Sequence, residues 1–409
     1  MSSDELSPAA SREDGESGGR SSAVAAVSVY GGGLLIGLTL VSFPASSTYL
    51  RMAHGFSDAE YGAIYLPQLL AAIVGALAGG ALAARMSLRA MYLLALVSFA
   101  LAHGLLASSA GVSSQLALLT VMCATAAFGF GFGFGGGPLN AAVTLLFPRT
   151  PYAAITALHM VAGAGLTIGP FVFAHLAAQG SWIAGPVALL IGSLILMLCT
   201  AASRWPEPVG GPREANDTWP APARAAFFWI TALIAVLYSV AEGTFSNWAL
   251  IYVHEERGLP GSSAALALTS FWATLTLGRL LASFLVLHVR PLTILIALPL
   301  LTIASFLYLP HVSSHATALL GFALAGLACS AFFPLLVGFA ADAYPKHVSW
   351  IASMLTAAMM LGVGIGSYAV GAFRSVVSLP DLYRASAIYP ALVLTALYVA
   401  RRFSPKSTR

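Results

Sequence analysis

Charged side chains are scarce in this chain of 409 residues. Asp, Glu, Lys and Arg make up 8% of it, whereas an average soluble domain is about a quarter charged. A soluble protein of this length needs charge over its whole surface, yet 58% of this sequence is hydrophobic. The composition therefore predicts an integral membrane protein, whose outer surface faces lipid and needs no charge.

Cysteine is also rare, and motifs of enzyme chemistry are missing. Cys123, Cys199 and Cys329 lie in apolar runs at no ligand-like spacing, so we expect neither a disulfide nor a metal site. The sequence has no phosphate-binding lysine motif, no H-E-x-x-H and no nucleophile elbow. Acidic residues are absent from Tyr61 to Pro206, which argues against an intramembrane enzyme. These absences lead us to expect no enzyme activity and no cofactor. The basic residues are dispersed, so we also expect no nucleic-acid partner.

Twelve apolar stretches are long enough to cross a bilayer as helices. They run approximately over residues 24–46, 59–84, 90–109, 114–137, 152–178, 183–203, 225–252, 264–287, 291–309, 315–341, 348–372 and 383–402. The longest connection, 204–223, is rich in Pro and Gly and predicts a flexible linker. The sequence therefore predicts an all-α membrane protein of two pseudo-symmetric six-helix bundles, 23–203 and 224–403, with a disordered tail at 1–22 and a short tail at 404–409.

The distribution of Lys and Arg predicts the orientation of the chain. With the N-terminus in the cytosol, four of the 19 basic residues lie outside, Arg279 lies within a helix, and the remaining fourteen lie inside. The four outside are Arg51, Arg257, Arg374 and Arg384. The positive-inside rule then favours both termini, the tails and the linker in the cytosol. We expect a monomer in the lipid bilayer of a bacterial inner (plasma) membrane.

The two halves of the sequence repeat each other. An offset of 203 residues superposes Tyr49 on Tyr252 and Gly55 on Gly258. Later in the chain, Pro138 corresponds to Pro334. Parallel repeats about an axis along the membrane normal are typical of transporters that bind their solute between the halves, near the middle of the membrane.

One loop carries a family signature. Gly80-Ala-Leu-Ala-Ala-Arg85-Met-Ser-Leu-Arg89 resembles the signature G-x-L-A-D-R-x-G-R-[KR] of major facilitator transporters. Ala84 replaces its Asp and Ser87 replaces its second Gly. The resemblance implies the major facilitator fold and a coupling or gating role for Arg85 and Arg89.

Further segments extend this resemblance over roughly residues 30 to 400. They include Gly137-Pro-Leu-Asn140, Leu158-His159, Ala241-Glu242-Gly243, Asn247-Trp248, Phe271-Trp272 and Gly278-Arg279. Together they resemble the fucose–proton symporter branch, which moves sugars and related small solutes. The resemblance implies a carrier that works by alternating access.

Two ionisable side chains are functional candidates because charge within a membrane helix is costly. Glu242 is the deepest acid, and Ser239 and Ser246 share its helix face. It is either a carboxylate that binds the solute or takes up a proton, or one half of an ion pair that holds two helices together. Arg279 is its expected partner. The alternatives for Arg279 are a fork to the solute, a position over Trp272, or a gating role near the cytosolic face.

Polar and aromatic residues complete the predicted substrate site. His159 is expected to bond solute hydroxyls or relay protons, with a core position as the alternative. Asn140 offers a donor and an acceptor beside a proline. Trp248 and Tyr252 either stack on a ring or lie in the outer interfacial belt, which is the favoured interpretation for Tyr252. The predicted substrate-binding residues are Asn140, His159, Glu242, Asn247, Trp248 and Trp272, with Glu242, Arg279, Arg85 and Arg89 for coupling and gating.

The sequence thus predicts a secondary active transporter. We expect uptake of a sugar-like or other small polar solute together with protons. Two alternatives stay open: efflux of hydrophobic compounds or metabolites, and a non-transporting receptor or scaffold. A flux assay in proteoliposomes separates a carrier from a receptor.

The predicted orientation can be tested by labelling. Single cysteines at Ser181 and Ser313 should react with an impermeant thiol reagent added outside the cell, and one at Pro208 should not, because only the first two lie in external loops. The chain with its native cysteines alone gives the background. The opposite labelling pattern would overturn the orientation.

Overall fold

The computed structural model describes residues 8–82, 85–206, 221–344 and 348–404, and every regular element in these ranges is a helix. Twelve helical segments in this part are long and apolar enough to span a membrane. They are α1 (Ala23–Ala45), α2 (Asp58–Leu82), α3 (Leu88–Gly111), α4 (Ser114–Leu146), α5 (Ala154–Ala178), α6 (Ala184–Ala202), α7 (Ala226–Glu256), α8 (Gly261–Leu285), α9 (Pro291–His311), α10 (His315–Ala343), α11 (Ile351–Phe373) and α12 (Leu379–Phe403). The predicted twelve-helix, all-α architecture is confirmed.

Some of these segments are built from two helices or belong to a longer one. The helix that contains α1 begins at Pro8, and a short helix, Ser47–His54, joins α1 to α2. The composite segments are α2 (Asp58–Ala63 and Tyr65–Leu82), α3 (Leu88–Ser108 and Ser109–Gly111), α7 (Ala226–Leu250 and Ile251–Glu256), α9 (Pro291–Tyr308 and Leu309–His311), α10 (His315–Cys329 and Phe332–Ala343) and α12 (Leu379–Ser386 and Ile388–Phe403).

The predicted division into tails, bundles and linker stays a prediction. Within the linker at 204–223, residues 207–220 lie outside the described ranges. Most of the tail at 404–409 lies outside them as well.

The internal repeat has a backbone counterpart. Gly55 and Gly258, which the offset superposes, have φ values of 68° and 64° in the turns before α2 and α8. Only glycine adopts this left-handed region without strain. The repeat in the sequence thus reflects the same turn in both halves.

Glycines also allow equivalent helices to approach backbone to backbone. A Cβ atom added to Gly133 of α4 would lie 2.0 Å from the Ala72 carbonyl oxygen of α2. One added to Gly326 of α10 would lie 2.0 Å from the Phe271 carbonyl oxygen of α8. Such seams stabilise helix packing in lipid, where burial of apolar surface provides no driving force.

Ion pairs between side chains join the two bundles at one end of the molecule. We call this the distal end, opposite the proximal end where α1 begins and α12 ends. Arg51 lies 2.7 Å from Asp58 and 2.6 Å from Glu255, and Arg374 lies 2.9 Å from Asp58 and 3.1 Å from Glu256. Two of these four ion pairs cross between the bundles. We call these five residues the distal cluster.

Beneath the distal cluster, α2 and α11 touch through glycines. A Cβ atom on Gly371 would lie 2.3 Å from the Asp58 carbonyl oxygen, and one on Gly62 would lie 2.9 Å from the Ser367 carbonyl oxygen. The Tyr61 hydroxyl of α2 donates to the Asn247 carbonyl oxygen of α7 at 3.0 Å. The bundles are therefore closed at the distal end.

Toward the proximal end, contact between the bundles runs through α5 and α8. A Cβ atom on Gly163 would lie 2.8 Å from the Thr276 methyl carbon. At the distal end, hydrogen bonds and ion pairs also join the bundles.

We expect Gly371→Leu to hold the distal end apart, because its side chain needs the space of the Asp58 carbonyl. Spin labels at Met52 and Val376, each 78% exposed and one in each bundle, should then show a population at longer distance in double electron–electron resonance. Gly338→Leu is the control, since a Cβ atom there meets nothing within 4 Å. An unchanged distance distribution in Gly371→Leu would contradict this closure.

Candidate functional site

The candidate site surrounds a break in α10. Its first part ends at Cys329, and its second part begins at Phe332. Pro334 has no N–H group, so it cannot donate to the Ser330 carbonyl four residues earlier. Carbonyl groups freed in this way inside a membrane need donors from other helices.

Side chains of α7 and α8 supply these donors. The Tyr238 hydroxyl donates to the Cys329 carbonyl oxygen at 2.6 Å, and its ring stacks on Phe332 with centroids 4.7 Å apart. Arg279 donates from Nε to the Ser330 carbonyl oxygen at 3.0 Å. The break thus orients both side chains, and the Nη atoms of Arg279 remain available for another group.

Glu242 lies one turn beyond Tyr238 on α7 and is partly buried. Its carboxyl group interacts with the Tyr238 hydroxyl and with the charge of Arg279. Its Oε2 atom is buried and has no hydrogen-bond partner among the described residues. The site therefore contains a carboxyl oxygen that can accept a proton or a donor from a solute.

Glu242 and Arg279 do not form the expected direct ion pair in this conformation. The ion pairs found between described residues within 4.0 Å involve other side chains. The serines predicted beside Glu242 do not bond its carboxyl group either. Ser246 donates to the Glu242 backbone carbonyl at 2.9 Å, and the buried Ser239 hydroxyl has no partner among these residues.

His159 approaches this group from the other bundle. It lies one turn before Gly163 on α5, and Arg279 lies three residues after Thr276 on α8, so the Gly163–Thr276 contact brings both toward the same region. The imidazole interacts electrostatically with the guanidinium. Both side chains are exposed. The structure therefore brings His159, Glu242 and Arg279 to one region, where His159 and Arg279 are exposed.

Asn140 and Trp272 have unused hydrogen-bonding capacity. Asn140 donates from Nδ2 to the Gly136 carbonyl oxygen at 2.9 Å, and its buried Oδ1 has no partner among the described residues. The Trp272 indole N–H is likewise buried without a partner there, and its ring packs edge-on against Phe271. The described contacts do not join Asn140 to Glu242 or His159.

Asn247 and Trp248 lie in the distal closure. Asn247 donates to the Ser367 hydroxyl at 2.7 Å, and Trp248 donates to the Ser367 carbonyl at 3.1 Å. The Trp248 ring also packs edge-on against Tyr61 with centroids 5.2 Å apart. Both side chains are covered in this conformation, and their role in substrate binding stays a prediction.

Tyr252 does not lie in a lipid-facing belt, and that interpretation is wrong. Its side chain is 0% exposed, its hydroxyl donates to the Leu309 carbonyl, and Arg257 donates to the hydroxyl. It is a structural residue of the second bundle.

Of the two signature arginines, Arg89 contacts the first bundle in this conformation. Arg89 donates to the Ala201 carbonyl at the end of α6, and Arg85 is exposed in the turn between α2 and α3. Ala84 lies outside the described residues. A gating role for these arginines stays a prediction.

Sequence reasoning missed Tyr238 and the distal cluster. Tyr238 precedes Glu242 by four residues, a spacing that places both on one helix face and was a usable signal. For Arg51 and Arg374 the sequence indicates orientation only, because each has a partner in the opposite bundle, far away along the chain.

The comparisons with known proteins agree with this architecture. The family model described as Major Facilitator Superfamily matches residues 28–367. An uncharacterized MFS-type transporter of Yersinia pestis is 22% identical over 373 residues, which cover 90% of this chain and 92% of that protein.

Three solved structures share the fold. A mutant of the nucleoside transporter NupG matches with a TM-score of 0.75 and 15% identity, over 93% of this chain and 99% of that one. A D-xylose-proton symporter matches with a TM-score of 0.72 and 16% identity, over 94% and 98%. The transporter FucP, in the outward conformation, matches with a TM-score of 0.63 and 16% identity, over 94% and 100%.

We expect Tyr238→Phe to destabilise the protein by about 1–3 kcal/mol, because it leaves the buried Cys329 carbonyl without a donor. Thermal unfolding in detergent measures this change. Tyr368→Phe is the control, since the Tyr368 ring is 41% exposed and its hydroxyl has no hydrogen bond among the described residues. Equal stability of the two variants would mean that the break in α10 does not depend on this bond.

Proposed function

Because the chain belongs to the Major Facilitator Superfamily, and is therefore a membrane transporter of that class, we propose that it takes up a sugar-like or other small polar solute together with a proton. The observation that carries this proposal is the Glu242 carboxyl group. It lies within a membrane span, near Arg279 of its own bundle, with one oxygen buried and unpartnered among the described residues.

A proton carrier must change its charge within the membrane part of the protein. The other acids in the described ranges lie outside the spans or near their ends: Glu13, Asp14 and Glu16 precede α1, the acids of the distal cluster, Glu60 and Asp381 lie at the distal end, and Asp342 lies at the proximal end. Glu242 is the described acid that lies midway along a span. Its charged form is favoured by Arg279, and its neutral form is cheaper to keep in a low-dielectric site.

Alternating access is supported by the asymmetry of the bundle contacts. The distal end is held by ion pairs and glycine contacts, whereas the region of His159 and Arg279 is open. With both termini in the cytosol, as we propose, this conformation faces the cytosol. Opening of the distal cluster would then expose the site, including Asn247 and Trp248, to the outside.

The solute class is supported by the character of the site residues. Asn140, His159 and Glu242 offer donors and acceptors, and Trp248 and Trp272 offer flat apolar surfaces for a sugar ring. The D-xylose-proton symporter shares this fold, which is consistent with the proposal. Efflux of hydrophobic compounds would instead favour a large aromatic site.

We expect Glu242→Gln to abolish uphill accumulation yet preserve solute exchange at equal pH, because glutamine keeps the size of the side chain but cannot release a proton. Proteoliposomes with an imposed pH gradient measure both activities. The solute is the compound that most raises the melting temperature in a screen of sugars, sugar acids and lipophilic cations. Asp342→Asn, a change at an exposed carboxylate of the same bundle, is the control.

Four outcomes would contradict the proposal. Uphill accumulation by Glu242→Gln would show that Glu242 is not the proton carrier. Absence of uphill transport in the wild type would show that the protein is a uniporter, driven by the solute gradient alone. Stabilisation by lipophilic cations alone would favour efflux, and absence of any flux would favour a receptor or scaffold.

A further inference from the structure

Arg279 forms no ion pair within 4.0 Å with a carboxylate of the described residues, although it lies within a membrane span. In the distal cluster, Arg51 and Arg374 each contact two carboxylates within 3.1 Å. Arg279 instead donates from Nε to the backbone carbonyl of Ser330. Its terminal nitrogens have no bond to a described residue, so its fork of N–H groups is free to bind another molecule.

Arg279 is exposed and lies near groups of both bundles. It donates to Ser330 of α10, and it interacts electrostatically with Glu242 of α7 and with His159 of α5, which belongs to the other bundle. Because groups from three other helices surround this side chain, we infer that its exposed surface faces the space between the bundles and not lipid.

The charge of this region depends on Glu242. The titratable groups that act on Glu242 are Tyr238 on its own helix and Arg279 of α8. Glu242 in turn acts on Cys329 of α10, and Arg279 acts on His159 of α5. With Glu242 ionised, its charge offsets that of Arg279. With Glu242 protonated and His159 neutral, one positive charge remains, and uncompensated charge within a membrane is costly.

We propose that Arg279 binds the carboxylate of an anionic solute, and that the transported substrate is a small hydroxylated monocarboxylate, such as a sugar acid, rather than a neutral sugar. A guanidinium fork binds a carboxylate through two parallel hydrogen bonds. Trp272, Thr276 and Arg279 share one face of α8, so the unpartnered Trp272 indole N–H lies on the same face for a solute hydroxyl.

Glu242 and the solute then alternate as the counterion of Arg279. Protonation of Glu242 removes the negative charge that offsets the guanidinium and so favours binding of the solute carboxylate, and departure of the solute favours release of the proton. One proton and one monoanion cross together, so the cycle moves no net charge. This inference rests on the proposed function, since it takes Glu242 as the proton carrier.

Chemical protection of Arg279 tests the proposal directly. The purified full chain is treated with phenylglyoxal, an arginine reagent, and modification of each arginine is followed by peptide mass spectrometry. D-gluconate, D-glucuronate and L-lactate serve as anionic probes, and D-glucose as the neutral counterpart of the first. We expect at least one acid to slow modification of Arg279 several-fold, and glucose to have no effect. Arg290, exposed in the loop between α8 and α9, should react equally throughout.

The pH dependence of protection separates this site from a simple positive patch. In the wild type, protection should weaken as the pH rises and Glu242 becomes ionised. In Glu242→Gln it should be strong at every pH. Equal protection by glucose, or no protection by any of the three acids, would overturn the proposal.

A variant at Arg279 gives a second measurement. The protecting acid should raise the melting temperature of the wild type, raise that of Arg279→Lys less, and leave that of Arg279→Gln unchanged. If Arg279→Gln does not fold, the difference between wild type and Arg279→Lys decides. An equal increase in both would overturn the proposal, because lysine keeps the charge but lacks the fork.

The two proposals fail in different ways. Proton-driven accumulation of a neutral sugar without protection of Arg279 would overturn the anionic substrate and leave proton-coupled uptake standing. Protection of Arg279 by acids without any proton-driven accumulation would overturn proton-coupled uptake and leave the anionic substrate standing.

Discussion

The carbonyl of Ser330 determines how the candidate site is arranged. Pro334 removes the N–H group that would bond it, and lipid offers no water in its place. Arg279 donates from Nε to this carbonyl oxygen at 3.0 Å, and the bond fixes the direction of the guanidinium. The Tyr238 hydroxyl of α7 donates to the carbonyl of Cys329, one residue earlier. The break in α10 therefore positions the neighbours of Glu242 before any solute binds.

The two bundles use the same repeat differently. Pro138 of α4 corresponds to Pro334 of α10, yet α4 runs unbroken from Ser114 to Leu146. At the offset of 203 residues, the positions of Tyr238 and Arg279 are occupied by Leu35 and Ala76, which have no side-chain donor. If α4 were broken in the same way, Leu35 and Ala76 could not donate to the carbonyl groups that the break would free. This asymmetry is consistent with a proton carrier in the second bundle, since the first has no acid from Tyr61 onward.

The distal closure has short contacts, but its ion pairs contribute little free energy. Two ion pairs cross between the bundles, and partly exposed pairs of this kind contribute about 1 kcal/mol or less each. A closure of this strength is compatible with reversible opening. The glycine contacts between α2 and α11 add specificity, because a Cβ atom on Gly371 would not fit.

Local properties of the sequence were sufficient to predict the twelve spans, the all-α class and the two halves, because length, apolarity and repeat spacing are readable along the chain. Glu242 could be singled out for the same reason, as an acid in the middle of an apolar run. Its surroundings could not be predicted. Arg279 was expected to pair with Glu242, but the approach of α8 to α10 gave it a backbone carbonyl instead.

The tertiary structure also decided which charges meet. Arg51 and Arg374 lie at opposite ends of the sequence, and only the docking of the bundles places both beside Asp58. The same docking buries Asn247 and Trp248 in the distal closure and leaves His159 exposed beside Arg279. Contacts between distant segments depend on how whole helices pack, and the pattern of any single helix does not contain that information.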